Sequence, residues 1–168
     1  MFFTLIFYLF SSTEINLLLG DQTPFGRLKR YFYPTPSFSL ELSKESKFSD
    51  FGLSLTYSRF SNQYSSLYFL RPQIFFEPPF LTVKNKKGTL FLSLSYLYLI
   101  REVYLDKKAK ESGNYLNYNF GLGYKEKLKK INFRIRIFLS LIPERLEYEK
   151  ENNFYYLLNS QIGVGYEF

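Results

Sequence analysis

Apolar and polar residues alternate with a period of two through most of this 168-residue chain. The clearest run is 131–141, where Ile, Phe and Leu at odd positions alternate mainly with Asn, Arg and Ser. Successive side chains of a β-strand point to opposite faces of the sheet, so this spacing predicts strands with one apolar and one polar face. A helix would repeat its apolar residues every three to four positions. The alternation therefore predicts an all-β fold.

Eight segments show this pattern, and most of them are about ten residues long. They cover 14–20, 36–43, 51–60, 66–76, 89–101, 114–125, 131–141 and 154–168. The segment 66–76 is the least regular. Pro72 removes a hydrogen-bond donor from its middle, so we expect a bulge there.

The connections between these segments alternate in length. If the first strand runs outward, the outer connections are 21–35, 61–65, 102–113 and 142–153. The inner connections are 44–50, 77–88 and 126–130. Short inner turns and longer, charged outer loops are typical of outer-membrane barrels, with 77–88 as the expected exception.

The chain contains no His and no Cys. This excludes imidazole and thiolate metal sites, Ser-His and Cys nucleophiles, and disulfides. A cluster of carboxylates lies in one charged segment that is typical of a solvated loop, at Glu144, Glu147, Glu149 and Glu151. We therefore expect no enzymatic activity, no cofactor and no metal site.

The net charge of +7 does not indicate a nucleic-acid partner. The basic residues fall in short, separate clusters between apolar segments, which is the distribution of charged turns between strands. A membrane-spanning helix is also excluded, because no run approaches the roughly 18 to 20 consecutive apolar residues that it needs.

Periodicity alone does not separate a membrane barrel from a soluble one, since both alternate. The apolar faces here are uniformly large, whereas the opposite faces carry mostly Gly, Ser, Thr and Asn. Small polar residues suit the narrow interior of an eight-stranded barrel. Tyr residues near strand ends suit the aromatic girdles at membrane interfaces. These are Tyr57, Tyr118, Tyr124, Tyr156 and Tyr166.

The first residues form a separate segment. Residues 1–13 combine an apolar run with small residues after it, which predicts a signal peptide ahead of a barrel domain at 14–168. No Lys or Arg precedes the apolar run. An additional apolar strand or core segment is the alternative interpretation.

The last eight residues, Gln161 to Phe168, end in Phe, with Tyr two positions earlier and alternating apolar residues before it. This pattern resembles the terminal assembly signal of bacterial outer-membrane β-barrel proteins. It covers the last strand closely and, with the strand pattern, extends loosely over 14–168. The whole chain resembles the small OmpA/OmpX/OmpW-like group, although no signature assigns a subfamily.

The resemblance implies an eight-stranded antiparallel up-and-down transmembrane β-barrel in the bacterial outer membrane. Its expected partners are outer-membrane lipid and the barrel-assembly machinery. The same resemblance implies that four residues of the last strand face lipid and are recognised by the barrel-assembly machinery. They are Ile162, Val164, Tyr166 and Phe168.

Seven charged residues fall on the predicted lumenal face. They are Glu14, Glu41, Arg71, Arg101, Arg134, Arg136 and Glu167. They could form an ion path, but the narrow interior of eight strands favours a salt-bridged, hydrogen-bonded core. The sequence thus predicts a structural or surface-interaction barrel with a largely filled lumen, displaying loops 21–35, 102–113 and 142–153. A narrow pore or carrier for small or apolar solutes is the second hypothesis, and a soluble lipid-binding barrel the third.

Overall fold

The strands cover almost all of the chain that the computed structural model describes, which is 13–26, 28–30, 32–46, 48–63, 65–103, 109–144 and 153–168. The strands are β1 (Thr13–Phe25), β2 (Thr35–Glu45), β3 (Asp50–Ser61), β4 (Ser65–Glu77), β5 (Pro79–Val83), β6 (Lys86–Val103), β7 (Ala109–Leu128), β8 (Ile131–Glu144) and β9 (Asn153–Glu167). One turn of 3₁₀ helix, Leu28–Arg30, follows β1. No helix in the described ranges is long and apolar enough to cross a membrane.

The sheet closes on itself. Neighbouring strands pair antiparallel in chain order, β9 returns to β1, and β4 pairs with β6. The short β5 continues β4 beyond the barrel wall and pairs with β6. Eight strands therefore form the wall, and the predicted eight-stranded antiparallel up-and-down barrel is confirmed. We call the end that carries Thr13 and Phe168 the inner end, and the opposite end the outer end.

The pairing register fixes the width of the barrel. Ile15 of β1 pairs with Leu42 of β2, and the same row continues around the wall to Tyr156 of β9. Tyr156 pairs with Phe25, so the row returns to β1 ten residues beyond its start, at 25 rather than 15. This stagger corresponds to a strand tilt of about 40°. With strands about 4.8 Å apart, the backbone radius is only about 8 Å.

The two faces of the wall differ in polarity. Outward residues such as Leu17 and Ile137 are more than half exposed, at 53% and 55%, whereas the inward Asn16 and Arg136 are buried. The five Tyr residues expected in girdles also face outward. An exposed apolar belt around a polar interior is the arrangement that lipid stabilises. A soluble lipid-binding barrel has its apolar face inside, so this arrangement excludes the third hypothesis.

The prediction of a long inner connection at 77–88 is wrong. Most of it is strand, formed by β5 and the start of β6, and the turn between them is only Lys84 and Asn85. The alternation is lost at Pro78 and Pro79, which lack backbone donors, and the register shifts just after them. The alternation of apolar and polar residues therefore does not predict that strand pairing resumes after Pro79, between β5 and β6.

The outer connections are also shorter than predicted. β6 continues to Val103 and β7 begins at Ala109, while β8 continues to Glu144 and β9 begins at Asn153. These extensions mix polar and apolar residues, as in Ala109–Gly113 and Ile142–Glu144. Hydrophobic alternation detects only the part of a strand that faces lipid, so it does not predict these mixed extensions.

The bulge expected at Pro72 is absent. β4 is continuous, and Pro72 pairs with Leu55 of β3. On the other side, pairing with β6 skips 71–72 but keeps its register, because Leu70 pairs with Tyr98 and Gln73 with Ser95. The proline therefore removes ladder bonds toward β6 without inserting an extra residue.

Residues 1–12 lie outside the described residues, and Thr13 is the first residue of β1. The signal peptide proposed for 1–13 stays a prediction.

Candidate functional site

The lumen is filled by layers of side chains, and β8 passes through four of them. From the inner end, its inward residues are Asn132, Arg134, Arg136, Phe138, Ser140 and Ile142. β4 runs in the opposite direction and shows a similar order. From the inner end, its inward residues are Glu77, Phe75, Gln73, Arg71, Phe69 and Leu67. The lumen thus changes from charged to aromatic to polar to apolar toward the outer end.

The first layer, which we call the inner charged cluster, receives a side chain from every strand of the barrel wall. Its members are Glu14, Glu41, Glu45, Asp50, Glu77, Lys87, Lys125, Lys127, Arg134, Arg136 and Glu167. Acidic residues come mainly from β1–β4 and basic residues from β6–β8. Opposite charges therefore meet across the lumen rather than along one strand.

Arg134 is shared by several carboxylates. Its Nη2 lies 2.5 Å from Glu14 Oε2 and 3.2 Å from Asp50 Oδ2. Its Nη1 lies 2.8 Å from Glu77 Oε2. Lys125 joins the same groups, with Nζ 2.8 Å from Glu14 Oε1 and 2.7 Å from Asp50 Oδ2. Through these contacts, two cations connect strands on opposite sides of the lumen.

Arg136 is held from two directions. Its Nε and Nη2 donate to the two oxygens of Glu77 at 2.7 and 2.8 Å, and its guanidinium also pairs with Glu41. The rings of Phe75 and Phe91 have their centroids 4.8 and 4.7 Å from the guanidinium carbon. Bidentate pairing and ring stacking both fix the plane of an Arg side chain. Arg136 therefore links the inner charged cluster to the aromatic layer above it.

The absence of a side chain at Gly123 makes room for Glu77. A Cβ atom at that position would lie 3.0 Å from Glu77 Oε1 and would also press against Thr89. Glycine in a strand often marks such a close approach. Gly123 is therefore a structural neighbour of the inner charged cluster.

The cluster becomes more exposed toward the inner mouth. There, Lys127 Nζ lies 3.2 Å from Glu45 Oε2 and 2.8 Å from Glu167 Oε2. Lys87 also pairs with Glu45. These side chains are about one-fifth to one-third exposed, in contrast to the buried groups around Arg134.

Two further layers are apolar. The aromatic layer consists of Phe75, Phe91 and Phe138, whose rings pack in sequence. The apolar cap closes the outer end and consists of Phe32, Phe60, Leu67, Phe69, Leu97, Ile142 and Leu157. Partly buried Leu99, Tyr115 and Tyr155 pack against it.

Between these two layers lies a region of neutral polar side chains around Arg71. Arg71 Nη1 donates to Ser140 Oγ at 3.1 Å, and Nη2 donates to Asn159 Oδ1 at 3.3 Å. Nearby, Ser58 donates to Gln22 at 2.9 Å. This region is chemically distinct from the inner charged cluster, because its side chains around Arg71 are uncharged.

The structure places the sequence-predicted lumenal charges as follows. Glu14, Glu41, Arg134 and Arg136 are buried together in the inner charged cluster, and Glu167 lies at its mouth. Arg71 is also buried but lies apart, in the polar region. Arg101 belongs to β6, but its side chain is outside the described residues.

Six members of the inner charged cluster are not predicted by the alternation, because they lie at the ends of the alternating segments or in the inner turns. They are Glu45, Asp50, Glu77, Lys87, Lys125 and Lys127. The alternation would have found several of them if it had been extended. Glu77 is two positions from Phe75, and Lys125 is two positions from Gly123, so each shares the inward parity of its strand.

The four predicted residues of the C-terminal signal face outward on β9. Ile162, Val164, Tyr166 and Phe168 are all exposed, and the Tyr166 and Phe168 ring centroids lie 5.3 Å apart. The backbone N–H of Phe168 donates to the carbonyl of Thr13 at 3.1 Å. Phe168 therefore lies at the seam where the last strand meets the first. Its role in assembly stays a prediction.

Within the described ranges, no group of three or more acidic side chains is arranged to hold a metal ion. The carboxylates of the inner charged cluster instead pair with Lys and Arg side chains. Such an arrangement can cross-link strands and fill space.

The closed ladder, the outward apolar belt and the charged interior define the class of the protein. It has the fold of an eight-stranded transmembrane β-barrel of the bacterial outer membrane. No protein-family model matches the sequence, and no curated protein matches it either.

Solved structures share this fold at low sequence identity. Neisserial surface protein A is 12% identical, with a TM-score of 0.63 over 94% of this chain and 98% of its own. A major outer membrane protein from Thermus thermophilus is 7% identical, with a TM-score of 0.58 over 94% and 100% of the two chains. Ail, the attachment invasion locus protein of Yersinia pestis, is 12% identical, with a TM-score of 0.53 over 94% and 99%.

Proposed function

We propose that this protein is a nonconducting structural or surface-interaction barrel of the bacterial outer membrane, without catalytic activity. The observation that carries the proposal is the filling of the lumen. The inner charged cluster, the aromatic layer, the polar region and the apolar cap follow one another along the axis. With a backbone radius of about 8 Å, such side chains leave little room for a continuous water path.

The distribution of carboxylates supports a nonenzymatic role. General acid and base catalysis needs a titratable group that can reach a substrate. The buried carboxylates of this barrel are paired with Arg or Lys and lie beneath two apolar layers. Their arrangement is better suited to holding the barrel together.

The outer end is the surface that would meet partners. Strands β6–β9 extend there toward the connections 104–108 and 145–152, which are rich in charged residues. Two similar structures are named as a surface protein and as an attachment invasion protein. These names support a surface-interaction role for this chain. A ligand of this chain would bind to the outer connections and not inside the lumen.

The conductance of the purified barrel tests the filled lumen. In planar lipid bilayers we expect no stable single-channel steps, because the apolar cap and the inner charged cluster block the two ends. A general porin inserted into the same bilayers serves as the positive control. Large, stable steps from the wild-type protein would contradict the proposal and favour the narrow pore or carrier.

The assembly machinery and outer-membrane lipid are the partners that we propose for the barrel wall. Phe168→Ala should lower the yield of folded protein in outer membranes severalfold, because the terminal aromatic residue is the last element of the proposed signal. Phe48→Ala is the matched control, since Phe48 is also an exposed aromatic residue near the inner end. Phe48 is 79% exposed, and Phe168 is 62% exposed. The measurement is the heat-modifiable band on unboiled gels. Wild-type yield from Phe168→Ala would refute the proposed signal.

A further inference from the structure

Two neighbouring turns at the inner end carry lysines that no acidic side chain neutralises. The turn between β5 and β6 contains Lys84, and the turn between β7 and β8 contains Lys129 and Lys130. We call these three exposed residues the inner basic rim. Of the carboxylates that the structure describes, none lies within ion-pair distance of them. The carboxylates at this end pair instead with lysines of the strands.

The two turns are tied to each other. Asn85 Nδ2 donates to the carbonyl oxygen of Lys127 at 2.8 Å, and the backbone N–H of Lys127 donates to the carbonyl oxygen of Asn85 at 2.9 Å. Only β6 and β7 separate the two turns, so with strands about 4.8 Å apart they lie about 10 Å from each other. The inner basic rim therefore concentrates three positive charges on one side of the inner mouth.

Both turns hold their first residue in a strained backbone conformation. The φ angle is 55° at Lys84 and 58° at Lys129. Gly and Asn adopt this left-handed region more readily than Lys does. Backbone outliers of this kind are frequent at functional sites. A lysine at each of the two positions therefore points to a role beyond forming the turn.

The inner basic rim borders the lipid-facing surface of the wall. Val83 and Leu128 come directly before the two turns and are 55% and 51% exposed. Lys130 Nζ lies 5.8 Å from the ring centroid of Tyr166, which faces outward on β9. Tyr side chains are typical of the membrane–water interface. A lysine at this level lays its apolar stem along the wall and places its ammonium group among lipid headgroups.

An anionic phospholipid matches both properties of this surface. Its phosphate group complements the ammonium groups of the inner basic rim, and its acyl chains cover the outward apolar residues beside them. Basic residues next to a bilayer attract anionic lipids in this way. An acidic protein segment would match the charge alone, and it would have to displace lipid from the wall. The lipid is therefore the better match.

We propose that the inner basic rim binds the phosphate groups of anionic phospholipids, such as phosphatidylglycerol, in the leaflet at the inner end. This inference rests on the lipid partner proposed above for the barrel wall and makes it more specific. Lys129 and Lys130 contact a headgroup beside Tyr166, and Lys84 extends the site across β6 and β7. Anionic lipids are therefore enriched on this side of the barrel.

Brominated phosphatidylglycerol is the probe, because bromine quenches nearby Trp fluorescence. The natural chain contains no Trp, and Ile131→Trp places one on the outward face, paired with Leu128 and Tyr166. This reporter is folded into vesicles of phosphatidylcholine and a minor fraction of phosphatidylglycerol. Bromine is carried by the phosphatidylglycerol or, in a second sample, by an equal fraction of the phosphatidylcholine. We expect a severalfold higher local concentration of the anionic lipid at the reporter.

Variants of the reporter test whether the lysines cause this enrichment. It should vanish in Lys84→Asn/Lys129→Asn/Lys130→Asn, which should still fold because Asn suits a positive φ. The heat-modifiable band on unboiled gels verifies folding. The corresponding triple Arg variant keeps the charges and should keep the enrichment. Lys29→Asn is the matched control and should also keep it, because Lys29 is exposed at the outer end.

The outcomes separate this inference from the proposed membrane placement. Equal quenching by the two lipids in the reporter with an intact rim would overturn the inference but leave the lipid-facing wall in place. Enrichment that persists in the triple Asn variant, or that is lost in Lys29→Asn, would also overturn it. Quenching by neither lipid would overturn both the inference and the lipid-facing wall. Both leaflets carry the same lipids, so the direction of insertion does not affect the result.

Discussion

Replacing Arg136 with Met should lower the free energy of unfolding by about 3–5 kcal/mol, the usual effect of removing one partner from a buried ion pair. The variant leaves Glu77 without its bidentate donor and weakens the neutralisation of Glu41. Both carboxylates are buried, so water cannot readily replace the lost cation. Met keeps much of the volume between Phe75 and Phe91. The measurement is urea unfolding of the barrel in lipid vesicles, followed by far-UV circular dichroism.

An exposed ion pair provides the matched control. Lys86 Nζ lies 3.6 Å from Glu126 Oε1, and the Lys86 side chain is 54% exposed. Lys86→Met should therefore change the free energy of unfolding by less than about 1 kcal/mol. In the double variant Arg136→Met/Glu41→Gln, the loss should be smaller than the sum of the two single losses, because no unpaired Glu41 remains. A near-neutral Arg136→Met would show that the inner charged cluster does not hold the strands together.

Arg at the middle of a lipid-facing strand should cost about 2–4 kcal/mol. The outward residues of β8 are Ile131, Phe133, Ile135, Ile137, Leu139, Leu141 and Pro143. Ile137 is the central one and is 55% exposed, so Ile137→Arg places the cation deepest in hydrocarbon. Phe133 is nearer the inner end, and Phe133→Arg should cost only about 0–1 kcal/mol near the interface. Equal losses at the two positions, measured by the same urea unfolding, would contradict this membrane placement.

The wall of the barrel was predictable because it depends on local alternation. In β8, the odd positions of 131–141 are apolar, and the structure exposes them outward. The strand ends were not predictable in the same way. Beyond the lipid-facing belt, both sides of a strand meet water or protein, so a period of two is no longer required. The alternation therefore does not predict β5 or the outer extensions of β6–β9.

The lumen was only partly predictable. The odd or even position of a residue in its strand predicts whether the side chain faces the lumen, but not how far along the barrel axis it lies. The inward parity of Glu41 and Arg136 follows from their own strands. Their pairing does not, since it joins residues 95 positions apart and depends on the stagger of every strand between them. The isolation of Arg71 had no sequence signal for the same reason. It depends on the neutral residues that β8 and β9 place beside Arg71 from across the lumen.

The most direct test of the inside-out arrangement uses single Trp residues, because the natural chain contains none. Ile135→Trp and Ile137→Trp place the indole on the outward face, whereas Phe91→Trp and Phe138→Trp place it in the aromatic layer. Each variant is folded into vesicles whose acyl chains carry bromine, which quenches nearby Trp fluorescence. A transmembrane barrel with a filled lumen predicts strong quenching at 135 and 137 and little at 91 and 138. Quenching at 91 and 138 with none at 135 and 137 would contradict it.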